Sequence, residues 1–374
     1  MKSAPPQPHK GRGAVSNIQG RFEHQLREDF DDGWERHLDD TDPVQGKPQT
    51  HITEEVARSI LSWNKSPDVP FNVSLNPYRG CEHGCIYCFA RPTHSYLELS
   101  PGLDFETRLF AKVNAADLLR RELASPSYRP EPIALGVNTD AYQPCERRLG
   151  ITRSVLEVMH ECEQPVGLIT KSALIERDID LLAPMAQKQL AAVTITITTL
   201  DHDIARTLEP RAASPTRRLQ TIRRLAEAGI PVSVNVAPVI PFVTDQDLER
   251  ILEEAFAAGA CAGTYIILRL PWEVSPLFQE WLAAHFPDRA ERVMNRIRDM
   301  RGGKDYDATF GTRMRGKGVW AELIRQRFRA AIKRLGVEGR MAEFTTLDSS
   351  RFRRPQYVPG AKPAANASGQ LDMF

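Results

Sequence analysis

An open, partial (β/α)6 barrel of the TIM-like kind is the α/β fold this sequence predicts, on three observations. Six short runs of apolar and β-branched residues recur between residues 70 and 275. Amphipathic helical patterns separate them, the alternation of parallel βα units. The runs are nearly continuous in apolar character, as strands covered on both faces are. Six repeats fall short of the eight that close a barrel, so the sheet is expected to curve without closing.

The strand candidates in order are FNVSL (71–75), PIALGV (132–137), VGLIT (166–170), AVTITIT (192–198), PVSVNVA (231–237) and TYIILRL (264–270). In the helical pattern AADLLRREL (115–123), Leu118, Leu119 and Leu123 share one side. TRSVLEVMHEC (152–162) opens on Thr152, an expected N-cap. The pattern 214–229 opens on Ser-Pro and ends on Gly, and 245–259 opens on Asp and ends on Gly, both start and stop signals. Beyond residue 275 the strand rhythm gives way to helical patterns at 277–286, 289–300 and 319–336, with a Gly- and Arg-rich loop at 301–318.

The ends differ from the middle. Residues 1–65 read as an irregular, partly disordered arm with an acidic stretch at 25–42, and 356–374 as a flexible tail. That divides the chain into arm, core (66–275), helical extension (276–355) and tail. Of the 374 residues, 41% are hydrophobic and 26% charged, ordinary for a globular chain. No apolar run approaches the roughly 18 residues of a membrane span, and the polar N-terminus lacks a signal core. A cytoplasmic monomer is the expectation. A net charge of +1 gives no global attraction to polyanions. Locally, Arg313 to Arg354 is rich in basic residues, read either as a solvated helix face or as a nucleic-acid surface on which Trp320, Phe328, Phe344 and Phe352 stack bases.

Half of the six cysteines lie in RGCEHGCIYCFARP (79–92), spaced C-x3-C-x2-C, just past the first strand. The C-terminal end of a barrel strand is where chemistry sits. A disulfide leaves an odd thiol and conflicts with a reducing compartment. A structural zinc wants four ligands, and no second cysteine pair supplies them. A [4Fe–4S] cluster held by three thiolates explains the odd count, leaving one iron open to a substrate or cofactor.

The C-x3-C-x2-C loop with Tyr87 before its last cysteine resembles the signature of the radical SAM superfamily, over residues 66–275. NPYRGCEHGCIYCFAR, NTDAYQP, ITKSALIERDIDLL and LEPRAASPTRRL are similar to the branch that contains spore photoproduct lyase. The resemblance implies a (β/α)6 barrel whose unique iron binds the amino and carboxylate groups of S-adenosylmethionine (SAM). One electron then yields a 5′-deoxyadenosyl radical that abstracts hydrogen from a substrate, with nucleic acid one candidate and flavodoxin or ferredoxin as reductant. Carried over by position, Cys81, Cys85 and Cys88 ligate the cluster and Tyr87 lies near adenine. Asn138, Thr139 and Asp140 meet the SAM amino group, although the Gly-Gly-Glu segment common in the family is replaced by GVNTD. Lys171 and Arg211 are candidates for the SAM carboxylate, and Thr198 for the ribose. Packing explains Tyr87, and turn chemistry explains Asn138 and Asp140, without any ligand. Photoproduct lyases carry a hydrogen-donating cysteine where Val137 stands here; Cys145 is the substitute candidate. Two alternatives to a general radical SAM enzyme are photoproduct-type DNA repair and a non-catalytic zinc- or nucleic-acid-binding module.

Overall fold

The computed structural model describes residues 8–23, 48–337 and 347–357. The strands are β1 (His51–Glu55), β2 (Leu61–Trp63), β3 (Val73–Leu75), β4 (Tyr78–Arg79), β5 (Arg108–Lys112), β6 (Ile133–Leu135), β7 (Val166–Thr170), β8 (Ala191–Ile197), β9 (Val232–Val239) and β10 (Ala262–Ile267). The main sheet has the order β10-β9-β8-β7-β6-β3-β2. Its six predicted strands are neighbours in sequence order and all parallel. The sheet is open: β2 and β10 are its two edges. Val73, Ile133, Val166, Val193, Val234 and Ile267 are fully buried, as strands sandwiched between a filled interior and an outer helical layer must be.

The outer helices Ala115–Ala124, Ile151–Glu161, Pro215–Glu227 and Leu248–Ala257 follow the predicted patterns closely, and a further helix, Ile179–Gln187, stands between β7 and β8 where no pattern was read. Leu118, Leu119 and Leu123 are buried together. Ser214 caps its helix by accepting from the Arg217 amide at 3.3 Å, with Pro215 next in line. Thr152 is not an N-cap. Its helix starts at Gly150–Ile151, the Glu146 carboxylate accepts from the Thr152 amide at 2.9 Å, and the Thr152 hydroxyl donates to the Ala141 carbonyl.

The first βα unit carries an insertion absent from the predicted pattern. Between β3 and β6 lie β4, the cysteine loop, a 3-10 turn (Arg91–Leu97), a short helix (Leu103–Thr107) and β5. Strands β4 and β5 join β1 in a second sheet of order β1-β5-β4. The N-terminal arm, expected to be irregular, supplies β1 and β2 to the two sheets, and its earlier residues are not peripheral, since Ala14 and Val15 are buried. The acidic stretch 25–42 and the last residues of the tail lie outside the described residues.

After β10 come helices Val274–His285, Ala290–Asp299 and Gly318–Arg334. The loop before the last crosses the barrel's open side. Met314 O accepts from Ile267 N at the β10 end (3.0 Å), while Arg313 and the Gly311 amide hold Asp68, between β2 and β3. The helices 274–285 and 290–299 share a core with Ala14 and with Ile86 of the cysteine loop. Among the described residues, no helix is long and apolar enough to cross a membrane.

The basic run after Arg313 is mostly neutralised. Arg327 pairs with Glu249, Arg334 with Glu253, Arg351 with Asp348 and Arg353 with Glu163. Its aromatic residues are packed rather than presented: Phe328 lies against Tyr265, Phe352 against Tyr128 and Trp320 against Phe242, while Phe344 lies outside the described residues. The solvated-face reading of this run is the one its contacts favour.

Candidate active site

Cys81, Cys85 and Cys88 lie in the loop that follows β4, and all six cysteines of the chain are free thiols. The loop turns at Gly80 and Gly84, both at positive φ; a Cβ on Gly84 would meet Glu106 Oε2 at 2.7 Å. Its carbonyls are held from beneath by Arg91, a fully buried guanidinium. Arg91 donates to Cys85 O (2.9 Å), Gly84 O (3.1 Å), Pro101 O (3.1 Å) and Gly102 O (2.9 Å), and pairs with the buried Glu106. One charged fork thus fixes the backbone at and just before the second cysteine. From the barrel side, Gln143 accepts from the Glu82 amide (2.9 Å) and donates to Gly80 O (3.2 Å).

Burial pushes the Cys81 thiol well above its ordinary pKa, helped by the Asp140 charge, and raises Cys85 to about 12. Among the described residues, no three His, Cys, Asp or Glu side chains are gathered tightly enough for a single metal ion.

Three ion-paired groups surround the loop. His83 lies 3.3 Å from Asp140 (Nδ1 to Oδ2), and both are buried. Asp140 also accepts from the Lys171 amide (2.8 Å), the Thr170 hydroxyl (2.7 Å) and the Tyr142 amide (2.9 Å). Burial raises its pKa, but His83 and these donors outweigh that and hold it well below the usual carboxylate range. Glu82 pairs with Arg211 at 2.9 Å.

The third group is centred on Glu209, in the loop after the helix that follows β8. Glu209 accepts from Thr198 Oγ1 at 2.6 Å and from the Tyr87 hydroxyl, and it pairs with the buried Arg218. Thr198 also bonds Ala237 O at 2.8 Å, joining the ends of β8 and β9. Lys171 lies beside this group, its Nζ 5.9 Å from the Tyr87 ring centre. Burial opposes its charge, but Cys85 and Glu209 outweigh that and raise its pKa.

The structure therefore brings Tyr87, Thr198 and Lys171 together beside Cys85. Asn138 and Thr139 stand at the end of β6, their amides both on Asn76 Oδ1; the Thr139 hydroxyl donates to Tyr78 O, and Asn138 is exposed. Cys145 is buried in the main core, at the start of the short helix Glu146–Leu149. Sequence reasoning missed Glu209, Arg91 and Glu106, and it placed His83 in the cysteine loop without its partner Asp140. Glu209 and Arg91 lie inside motifs singled out for other residues. A charged residue amid apolar and glycine neighbours was the available signal.

This architecture defines an open α/β barrel with a largely buried three-cysteine loop just past β4, beside a buried cationic and tyrosyl cluster. Comparison with known proteins places it further. The sequence profile of the radical SAM superfamily matches residues 75–255. An uncharacterized protein of Mycobacterium tuberculosis is 39% identical over 244 residues, covering 64% of this chain and 71% of the relative. An uncharacterized protein of Methanocaldococcus jannaschii is 25% identical over 222 residues, 59% of this chain and 79% of the relative. In fold, the chain is similar to a spore photoproduct lyase variant (TM-score 0.54, 16% identity, 76% of this chain and 79% of that one). A second variant of that lyase, with bound AdoMet and dinucleoside spore photoproduct, gives a TM-score of 0.52 at 14% identity over the same shares. The chain belongs to the radical SAM superfamily and is an enzyme of that class.

Proposed function

We propose that Cys81, Cys85 and Cys88 hold a [4Fe–4S] cluster, and that the chain uses it to cleave SAM and start a radical reaction on a substrate presented at the barrel mouth. When bound, such a cluster supplies the electron that splits the sulfonium, and the 5′-deoxyadenosyl radical released takes a hydrogen atom from the substrate. The observation that carries the reading is the loop of three free thiols, two buried and the third, Cys88, partly exposed, whose backbone is pinned by Arg91, with Lys171 standing beside Cys85. A cube of four irons takes its thiolates on separate metals, which suits three sulfurs that are near one another without being gathered on one ion. A structural zinc would need tighter gathering and a fourth donor.

Each nearby residue then has work that its contacts support. The Lys171 ammonium is the cation placed to meet the SAM carboxylate, its charge maintained by Cys85 and Glu209. Tyr87 and Thr198, fixed by Glu209, form a wall for the nucleoside. Asn138 has a free side-chain oxygen at the β6 end for the amino group, whereas Asp140 holds His83 and the end of β7. Arg211 is committed to Glu82 and so steadies the loop. An external low-potential reductant such as flavodoxin or ferredoxin completes the scheme.

For the substrate, the rim of the mouth supports an anionic molecule with planar rings, nucleic acid foremost. Arg269 lies over the half-exposed Phe89, next to Cys88, at 5.3 Å from the ring centre; Arg21, over the exposed Trp272 at 4.2 Å, is already paired with Glu273, so Arg269 is the cation this reading leans on. Guanidinium and aromatic groups side by side suit phosphate and stacked bases. Photoproduct repair has less support, because Val137 occupies the hydrogen-donor position and the Cys145 thiol is buried in the core.

The test is anaerobic reconstitution with iron and sulfide, followed by metal analysis and titration with SAM. A brown protein containing iron and acid-labile sulfide, with an absorbance near roughly 400 nm that bleaches on reduction, supports the reading. A colourless protein containing zinc sinks it.

A further inference from the structure

The cysteine loop is covered on its outer side by a segment of the N-terminal arm, and the fit is closer than packing alone requires. Gly13 lies directly on the loop: a Cβ there would stand 1.9 Å from Gly84 O, 3.1 Å from Gly84 C and 3.3 Å from Ile86 N, so it would strike the backbone on both sides of Cys85. No rotamer change relieves a clash with backbone. The next observation is independent of that one. The amides of Gly13 and Ala14 donate to the two oxygens of Glu106, at 3.0 Å and 2.9 Å. Glu106 is the fully buried carboxylate that pairs with Arg91, whose guanidinium holds Gly84 O and Cys85 O. Arg12 closes the arrangement, donating to Glu106 O (2.9 Å) and to Thr50 Oγ1 (3.0 Å), and Thr50 in turn accepts from Arg211, the partner of Glu82. The segment is anchored beyond the loop by Asn17 on Asp104 and by Ser16 Oγ on Glu280 (2.6 Å).

We propose that Arg12–Asn17 is a working part of the cluster site, a backbone clamp that holds the cysteine loop in its ligating shape and shields it from solvent and oxygen. Glu106 is its positioning residue, gripping the arm by two amides and the loop through Arg91. The arm lies some ninety residues from Glu106 in sequence, so the clamp is set only when the chain is folded. A carboxylate met by two backbone amides and one guanidinium has its charge satisfied without water, so it seals the space instead of admitting solvent. This inference depends on the proposal that the loop holds a cluster.

Full-length wild type, Gly13→Val and Gln19→Ala, an exposed change on the same arm, are reconstituted anaerobically. Three readings follow: iron and sulfide per chain, the first-order bleaching of the roughly 400 nm absorbance in air, and the melting curve of the apoprotein. The clamp predicts that Gly13→Val keeps a cooperative melt yet bleaches on the order of tenfold faster, as expected from losing hydrogen bonds to a buried charged group, while Gln19→Ala matches wild type. Wild-type retention and bleaching in Gly13→Val overturn it. If Gly13→Val does not fold, Glu106→Gln, which keeps the volume but presents an amide N–H to one of the two donors, is read the same way: faster bleaching supports the clamp and unchanged bleaching overturns it. A wild-type chain that takes up no iron overturns the cluster reading itself, and the clamp with it; a wild type that holds its cluster as firmly as both variants sinks the clamp alone.

Discussion

His94 makes the fold acid-sensitive at a pH where the carboxylates are still ionised. Its Nε2 lies 2.9 Å from Arg108 O, and a carbonyl only accepts, so the neutral ring carries its proton there. The other nitrogen, Nδ1, is buried and has no hydrogen-bond partner. A second proton would be placed on Nδ1 with no acceptor, in a ring packed edge-on to Phe105. Burial accordingly lowers the His94 pKa to about 4. In the unfolded chain it is about 6.5. The folded value is the depressed one, so the unfolded state binds more protons as pH falls. Stability is full above about pH 6.5, declines towards pH 4 and levels off below. Linkage over these two values gives a loss of about 2 kcal/mol between pH 7 and pH 5, and about 3 kcal/mol in all. Urea denaturation at pH 7, 6 and 5 measures it, with His94→Gln as the non-titrating comparison. Wild type should lose about 2 kcal/mol more than the variant across that range. Equal slopes for the two would refute the assignment.

Other outcomes follow from the same contacts. Glu209→Ala leaves Arg218 buried without its counter-charge, so it should cost roughly 3–5 kcal/mol in a chemical melt; a loss under 1 kcal/mol would mean that Arg218 does not depend on Glu209 for its counter-charge. Lys171→Ala should weaken SAM binding by equilibrium titration on the order of 10- to 100-fold, the value of one charge-assisted contact, with iron content unchanged. Cys145→Ser should lower stability by about 1–3 kcal/mol in a chemical melt, the cost of placing a hydroxyl in the apolar core; an unchanged melt would mean that the thiol is not packed there and would return Cys145 to the candidates for hydrogen donor. Arg269→Ala should weaken binding of a single-stranded oligonucleotide, measured by fluorescence anisotropy, and reduce its salt dependence.

The six parallel strands were legible because each is a run of residues buried on both sides, and such a run has no other economical fate. Strands β1, β2, β4 and β5 were not, being two to five residues long and partly exposed, so no period emerges from them. The cysteines were legible from spacing alone. The groups that shape their loop were not: Gly13 and Glu106 lie 93 residues apart, and Tyr87 and Glu209 lie 122 apart. Contacts of that range leave no periodic trace in one sequence. Thr152 shows the local form of the same limit, since a carboxylate six residues upstream took the capping role that its own hydroxyl was expected to fill. The basic run left two readings open for a related reason: the carboxylates that answer its charges, Glu249, Glu253 and Glu163, are on elements far away in the chain.

The central claim is tested most directly by quantifying 5′-deoxyadenosine after anaerobic incubation of the reconstituted chain with SAM and dithionite. The account predicts 5′-deoxyadenosine with equimolar methionine from wild type, and none from Cys85→Ala. Wild type that carries a reducible cluster yet leaves SAM intact, or Cys85→Ala that cleaves it as well as wild type, would contradict the account.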